Sequence, residues 1–143
     1  MQSGASHEYL DHGGLVVTLH ENLDLANYGY FEAVCLRISE ELARGTVRSL
    51  LIDCRQTNAL GCTALGLFLR LWKVADRHGG RFALCGLSPL ERETVAVCKL
   101  DRLWAIYATR EQAIVALGWS GGAAAAAARK PSRRAKSRAL PGV

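Results

Sequence analysis

Ser49-Leu-Leu-Ile-Asp53 is followed by Cys54-Arg-Gln-Thr-Asn-Ala-Leu-Gly61 and then by Cys62-Thr-Ala-Leu-Gly-Leu-Phe-Leu-Arg-Leu-Trp-Lys-Val-Ala75. An apolar run passes through a polar loop into a helical stripe. The run at 49–53 is continuous enough in apolar character to be a strand buried on both faces. Leu65, Phe68, Leu69, Trp72 and Ala75 recur at helical spacing, so a helix is expected over Thr63–His78. Lys73, Asp76 and Arg77 lie near its end, and Gly79-Gly80 stops it. A buried strand running through a short loop into an apolar helix is half of a β-α-β unit.

The same alternation extends in both directions. Upstream, Leu15-Val-Val-Thr-Leu19 reads as a strand, with His7–His12 as an edge strand joined to it by a Gly13-Gly14 turn. Asn27 is the expected N-cap of a helix over 28–44, with Phe31, Val34, Ile38 and Leu42 on its buried face and Gly45 as C-cap. Downstream, Arg81–Cys85 is a third core strand. Ser88-Pro89-Leu-Glu91 carries Ser at N-cap, Pro at N1 and Glu at N3, and opens a helix to about Cys98. A last strand is expected over Leu103–Tyr107, and Thr109-Arg-Glu-Gln112 opens a helix to about Leu117. The order β-β-α-β-α-β-α-β-α predicts an α/β fold with parallel neighbours and right-handed crossovers.

Charge divides the chain in two. Residues 1–120 hold 12 Lys/Arg and 13 Asp/Glu, whereas residues 121–143 hold six Lys/Arg and no acid. A near-neutral domain over 1–118 is expected to carry a disordered tail over 119–143, Ala-rich and then basic. A body of about 115 residues buries roughly two-thirds of its surface, enough for one core. The first 14 residues contain Glu8 and Asp11 and no apolar signal region. The uncharged stretch Ala113–Ala128 is interrupted by Gly118, Ser120, Gly121 and Gly122, which argues against membrane insertion. The five cysteines, Cys35, Cys54, Cys62, Cys85 and Cys98, form no C-x-x-C pair and have no histidine at ligand spacing. A reduced, cytoplasmic protein without disulfides, metal or cofactor is expected.

The junction from Asp53 to Gly66 is the distinctive segment. In an open α/β sheet, such carboxyl-end loops are where ligands or partners dock. The new helix presents free N–H groups and its positive dipole end near Gly61–Ala64. Four blocks here resemble the STAS domain family, in particular its anti-sigma factor antagonists. They are Val16–Asp24, Leu50–Asp53, Ala59–Leu67, and His78–Pro89 with Leu100–Leu103 behind it. The resemblance covers about residues 8–118. It implies a central mixed β-sheet of four to five strands packed with about four α-helices. It also implies a non-enzymatic function: binding an anti-sigma factor of the ATP-binding serine-kinase type and so controlling a sigma factor. The implied docking residues are Asp24, Asn27, Asn58, Leu60, Gly61, Cys62 and Thr63.

One departure from the family pattern bears on regulation. Where switching members read Asp-Ser-Ser-Gly, with the first Ser as phosphate acceptor, this chain has Gly61, Cys62, Thr63 and Ala64. Cysteine is not a substrate for that kinase chemistry, which leaves Thr63 as the phospho-acceptor candidate. Each residue also has a structural reading. Cys62 is a small replacement for Ser or a redox-responsive thiol, and Thr63 is a helix cap or an acceptor. Asp24 is a partner contact or a charge complementing the next helix. A Cys62–His20 nucleophile pair would need proximity and an orienting group. The basic tail without aromatic residues supports at most non-specific contact with nucleic acid. An accessory STAS module of a transport or signalling complex, without a phosphorylation switch, is the alternative.

Overall fold

The computed structural model describes residues 4–119. The chain forms β1 (Ala5–Leu10), β2 (Gly14–Leu19), α1 (Tyr28–Arg44), β3 (Ser49–Asp53), α2 (Cys62–Arg77), β4 (Phe82–Cys85), α3 (Pro89–Val97), β5 (Ala105–Tyr107) and α4 (Arg110–Leu117). The five strands lie in the sheet in sequence order. β1 is antiparallel to β2, and β2 to β5 are parallel.

The period-2 alternation of strand side chains sorts the core into two layers. Leu15, Val17, Leu19, Leu50, Ile52, Phe82 and Leu84 face a large cluster containing Phe31, Ile38 and Leu42 of α1, Leu67, Phe68 and Leu71 of α2, and Val95 of α3. Val16, Leu51, Ala83 and Cys85 face the other way, onto Ala113 and Leu117 of α4 and onto Trp119. Strand crossovers of one hand in an unreversed strand order put α1, α2 and α3 on the same face. Among the described residues, α4, which follows the last strand, covers the second face together with Trp119.

Several local expectations are met and others are corrected. Ser88 and Glu91 form the reciprocal capping box, and Thr109 accepts from the Gln112 N–H. Gly45 ends α1 with φ +85. The Gly13-Gly14 pair does not make a tight hairpin. A 3-10 turn over Asp11–Gly13 intervenes, and β1 starts at Ala5 rather than His7. Asn27 stands at the N-cap of α1 but makes no cap bond. The N-cap of α2 is Gly61, and no side-chain cap bond forms there, so Thr63 is not a cap. Cys35, Cys54 and Cys85 are buried, and Cys62 and Cys98 are exposed.

The tail expected over 119–143 lies outside the described residues except for its first member. Trp119 is 2% exposed. The Gly118 N–H donates to Val115 O and the Trp119 N–H to Ile114 O, a Schellman closure that folds the indole back beside Ile114. The Gly79-Gly80 pair divides two tasks. Gly79 adopts φ +80, and a Cβ on Gly80 would lie 1.6 Å from the Arg48 carbonyl oxygen.

Candidate functional site

The carboxyl ends of the parallel strands deliver three loops to one edge of the sheet: 20–27 after β2, 54–61 after β3 and 86–88 after β4. Hydrogen bonds join them. Asn22 Nδ2 donates to Asn58 Oδ1 at 2.7 Å, and the Asn58 N–H donates to Asn22 Oδ1 at 2.9 Å. Ser88 Oγ donates to the Asn58 carbonyl at 3.1 Å. The His20 ring is held between two side chains, with Nδ1 3.1 Å from Gln56 Oε1 and Nε2 2.9 Å from Ser6 Oγ.

Asp24 and Asn27 meet in a reciprocal box. The Asn27 N–H donates to Asp24 Oδ1 at 3.2 Å, and the Asp24 N–H donates to Asn27 Oδ1 at 2.8 Å. The pattern is that of a capping box set one turn before α1, with Asp24 in the capping role that the sequence suggested for Asn27. Asn27 Nδ2 also donates to the Asn22 carbonyl, tying the turn to the inter-loop bond.

Beneath the loops lies a buried polar layer. Glu91 is fully buried; its Oε1 accepts from the Ser88 N–H, and its Oε2 accepts from the Thr57 hydroxyl at 2.5 Å. Asp53, 1% exposed, accepts from the Arg55 N–H at 3.0 Å and from its guanidinium at 3.3 Å. Burial pushes the neighbouring Cys85 thiol up to about 12, with the Asp53 charge adding to the shift. Burial raises Cys54 as well, followed by the charge of Glu91. These groups brace the loop from inside.

The α2 N-terminus opens beside this frame. Gly61 and Cys62 are exposed and Thr63 is partly exposed. Cys62 and Thr63 line a notch with Leu25 and Tyr28 from the loop and from α1, and with Gly66, Leu67 and Arg70 along α2. The structure thus brings Asp24, Asn27, Asn58, Gly61, Cys62 and Thr63 to one edge. Leu60, assigned to the docking face from sequence, is 7% exposed and belongs to the core, where it anchors the loop. The His20 ring is engaged by Ser6 and Gln56 and is not among the residues lining the Cys62 notch. No group of three or more His, Cys, Asp or Glu among the described residues could hold a metal. No helix among them is long and apolar enough to cross a membrane.

Sequence reasoning missed Asn22, Thr57 and Leu25. Asn22 and Asn58 lie 36 residues apart, and no local spacing rule joins positions at that distance. Glu91 was legible as an N3 cap, but its second bond, to Thr57, was not. Leu25 is 84% exposed, a large apolar side chain in solvent beside the notch.

The sequence profile of the STAS domain matches residues 7–113. No curated protein matches the chain. Among solved structures, TM1081 of Thermotoga maritima is similar with a TM-score of 0.71 and 19% identity, over 79% of this chain and 93% of that one. The anti-sigma factor antagonist SpoIIAA, in its unphosphorylated form, is similar with a TM-score of 0.66 and 22% identity, over 78% of this chain and 93% of that one. Phosphorylated SpoIIAA, from Bacillus, gives a TM-score of 0.63 at 22% identity, over 78% of this chain and 96% of that one. The murine anion transporter Slc26a9 is similar with a TM-score of 0.59 and 12% identity, over 80% of this chain and 22% of that one. With residues 7–113 matched and a mixed five-stranded sheet carrying four helices, the chain belongs to the STAS domain family.

Proposed function

We propose that this protein is a partner-binding regulator of the anti-sigma factor antagonist type, acting in the cytoplasm without catalysis of its own. Its partner is an anti-sigma factor with a serine-kinase-type ATP-binding fold. Docking uses the Asp24–Asn27 turn, the exposed part of the 58–61 loop and the first turn of α2. Occupancy of the anti-sigma factor by this domain frees the sigma factor, because the two compete for one partner. The observation that carries the reading is the pair of bonds between Asn22 and Asn58. It holds two partner-facing loops in one frame beside the uncapped α2 N-terminus, which is a pre-organised binding edge.

Cys62 stands where switching relatives have the acceptor serine. The domain is therefore either constitutively competent or switched through Thr63. Phosphate on Thr63 would add up to about two negative charges inside the docking edge and block close packing. Titration calorimetry with an anti-sigma factor of this type tests docking, and Asp24→Lys is expected to abolish binding while the fold persists, its stability lowered only by the about 1 kcal/mol that the lost cap to the Asn27 N–H costs. Intact mass after incubation with that kinase and ATP tests the switch. An unmodified protein that still binds removes the Thr63 route and keeps docking.

Cys62 in place of the acceptor also favours a second reading, an accessory module of a transport or signalling complex. Failure of every anti-sigma factor tested to bind, with the fold intact, would select it.

A further inference from the structure

The notch beside Cys62 contains a residue that folding does not explain. Gly66 sits inside α2, where glycine weakens a helix relative to alanine. A Cβ built on it meets nothing within 4 Å, and its φ is not in the left-handed region, so neither packing nor backbone strain within the chain calls for glycine. Cys62, Gly66 and Arg70 are spaced i, i+4, i+8, so they form one ridge of the helix, and its middle position is empty. That gap forms part of a cavity of about 260 Å³ whose other walls include Leu25, Tyr28 and Leu67.

We infer that the notch is a receptor for an aliphatic side chain of a docking protein, flanked on that protein by a carboxylate that pairs with Arg70. The apolar part follows from Leu25, 84% exposed on the rim, and from Leu67 in the wall. The acidic part follows from charge. Arg70 is the one charged residue among those lining the notch, and its guanidinium is only loosely engaged, 3.9 Å from Glu32 with both side chains about two-fifths exposed. The adjacent α2 N-terminus adds positive potential of the same sign. A side chain at position 66 would fill the space the incoming group needs, which accounts for the glycine. The inference rests on the proposed docking edge and adds what the partner must present there.

N-acetyl-leucine carries both features in one small molecule and needs no knowledge of the partner. Amide shifts of the full chain are followed by NMR during titration with N-acetyl-leucinate and, separately, with N-acetyl-leucinamide. Saturable shifts at Gly66, Leu67 and Arg70 are expected with the carboxylate, and weaker binding with the amide. Gly66→Leu should abolish the shifts with its melting temperature unchanged or raised, and Gly66→Ala should weaken binding several-fold. Arg70→Gln should reduce carboxylate binding to the level of the amide. Shifts that persist unchanged in Gly66→Leu, or no saturable shift in the wild type at tens of millimolar, overturn the inference. If an anti-sigma factor fails to bind while N-acetyl-leucinate still saturates the notch, the partner class is wrong and the receptor stands. If the anti-sigma factor binds Gly66→Leu as tightly as wild type, docking stands and the receptor falls.

Discussion

At the residue scale, the buried polar groups are the most consequential positions of the site. Glu91→Ala, at a fully buried position, removes the acceptor of the Ser88 N–H and the nearer of two acceptors facing the Thr57 hydroxyl, the other being the Cys54 carbonyl at 3.0 Å. A loss of about 2 kcal/mol in urea unfolding is expected, with a larger opening rate for residues 54–61 in hydrogen exchange. Gly80→Ala forces a methyl against the Arg48 carbonyl oxygen, and a cost at or above about 3 kcal/mol is expected, because backbone rather than a side chain must move. The thiols divide by exposure: a thiol reagent should label Cys62 and Cys98 in the native state and reach Cys35, Cys54 and Cys85 only on unfolding. Burial raises Cys35 to about 11 and Cys85 to about 12, against 9.0 for a free thiol. Below the free value both are protonated in both states, so their contribution to stability is fully present there. Above it the unfolded chain loses protons that the native state keeps, and stability falls toward those raised values. Urea midpoints at about pH 8 and about pH 10 should show this fall, reduced in a Cys35→Ala, Cys85→Ala double variant.

At the element scale, α2 combines a buried face set by sequence with an opening turn set by its neighbours. Ala64, Leu67, Phe68, Leu71 and Ala75 are its buried residues. The helical stripe predicted Phe68 and Ala75 correctly, but it also included Leu65, Leu69 and Trp72, which pack only partly buried at the rim. The start of the helix was legible to within a residue, while the cap assigned to Thr63 was not, because Gly61 takes the N-cap and leaves Thr63 in the first turn. Gly66→Ala should raise stability by about 0.5–1 kcal/mol, read as a higher urea midpoint, since it removes a helix-interior glycine without meeting another atom. Ser88→Ala should cost about 1 kcal/mol for the lost cap of α3, and it also frees the Asn58 carbonyl. Asn22→Ala should leave the melting temperature nearly unchanged while speeding exchange at the Asn58 amide, whose bond it removes.

At the scale of the whole molecule, the near-neutral charge of residues 1–120 and the six cations of 121–143 are separable. Deleting 121–143 should leave thermal unfolding unchanged and remove low-salt retention on a polyanionic matrix, because screened attraction of this kind resides in the cations alone. Trp119 must stay in any such truncation, since its ring is buried on the second sheet face. Element order, strand and helix type, the Ser88 and Thr109 caps and the burial of the 49–53 strand on both faces were legible from local spacing, because hydrophobic period and cap chemistry act over three to seven residues. The bond between Asn22 and Asn58, the burial of Glu91 against Thr57, the retraction of Leu60 and the empty place at Gly66 were not. Each depends on groups tens of residues apart meeting at the carboxyl edge of the sheet, and only the closed chain brings them within hydrogen-bonding or van der Waals range. The sequence alone determined which segments are strands and helices; tertiary structure decided how fully each face is buried, which polar groups find partners and where the surface is left open.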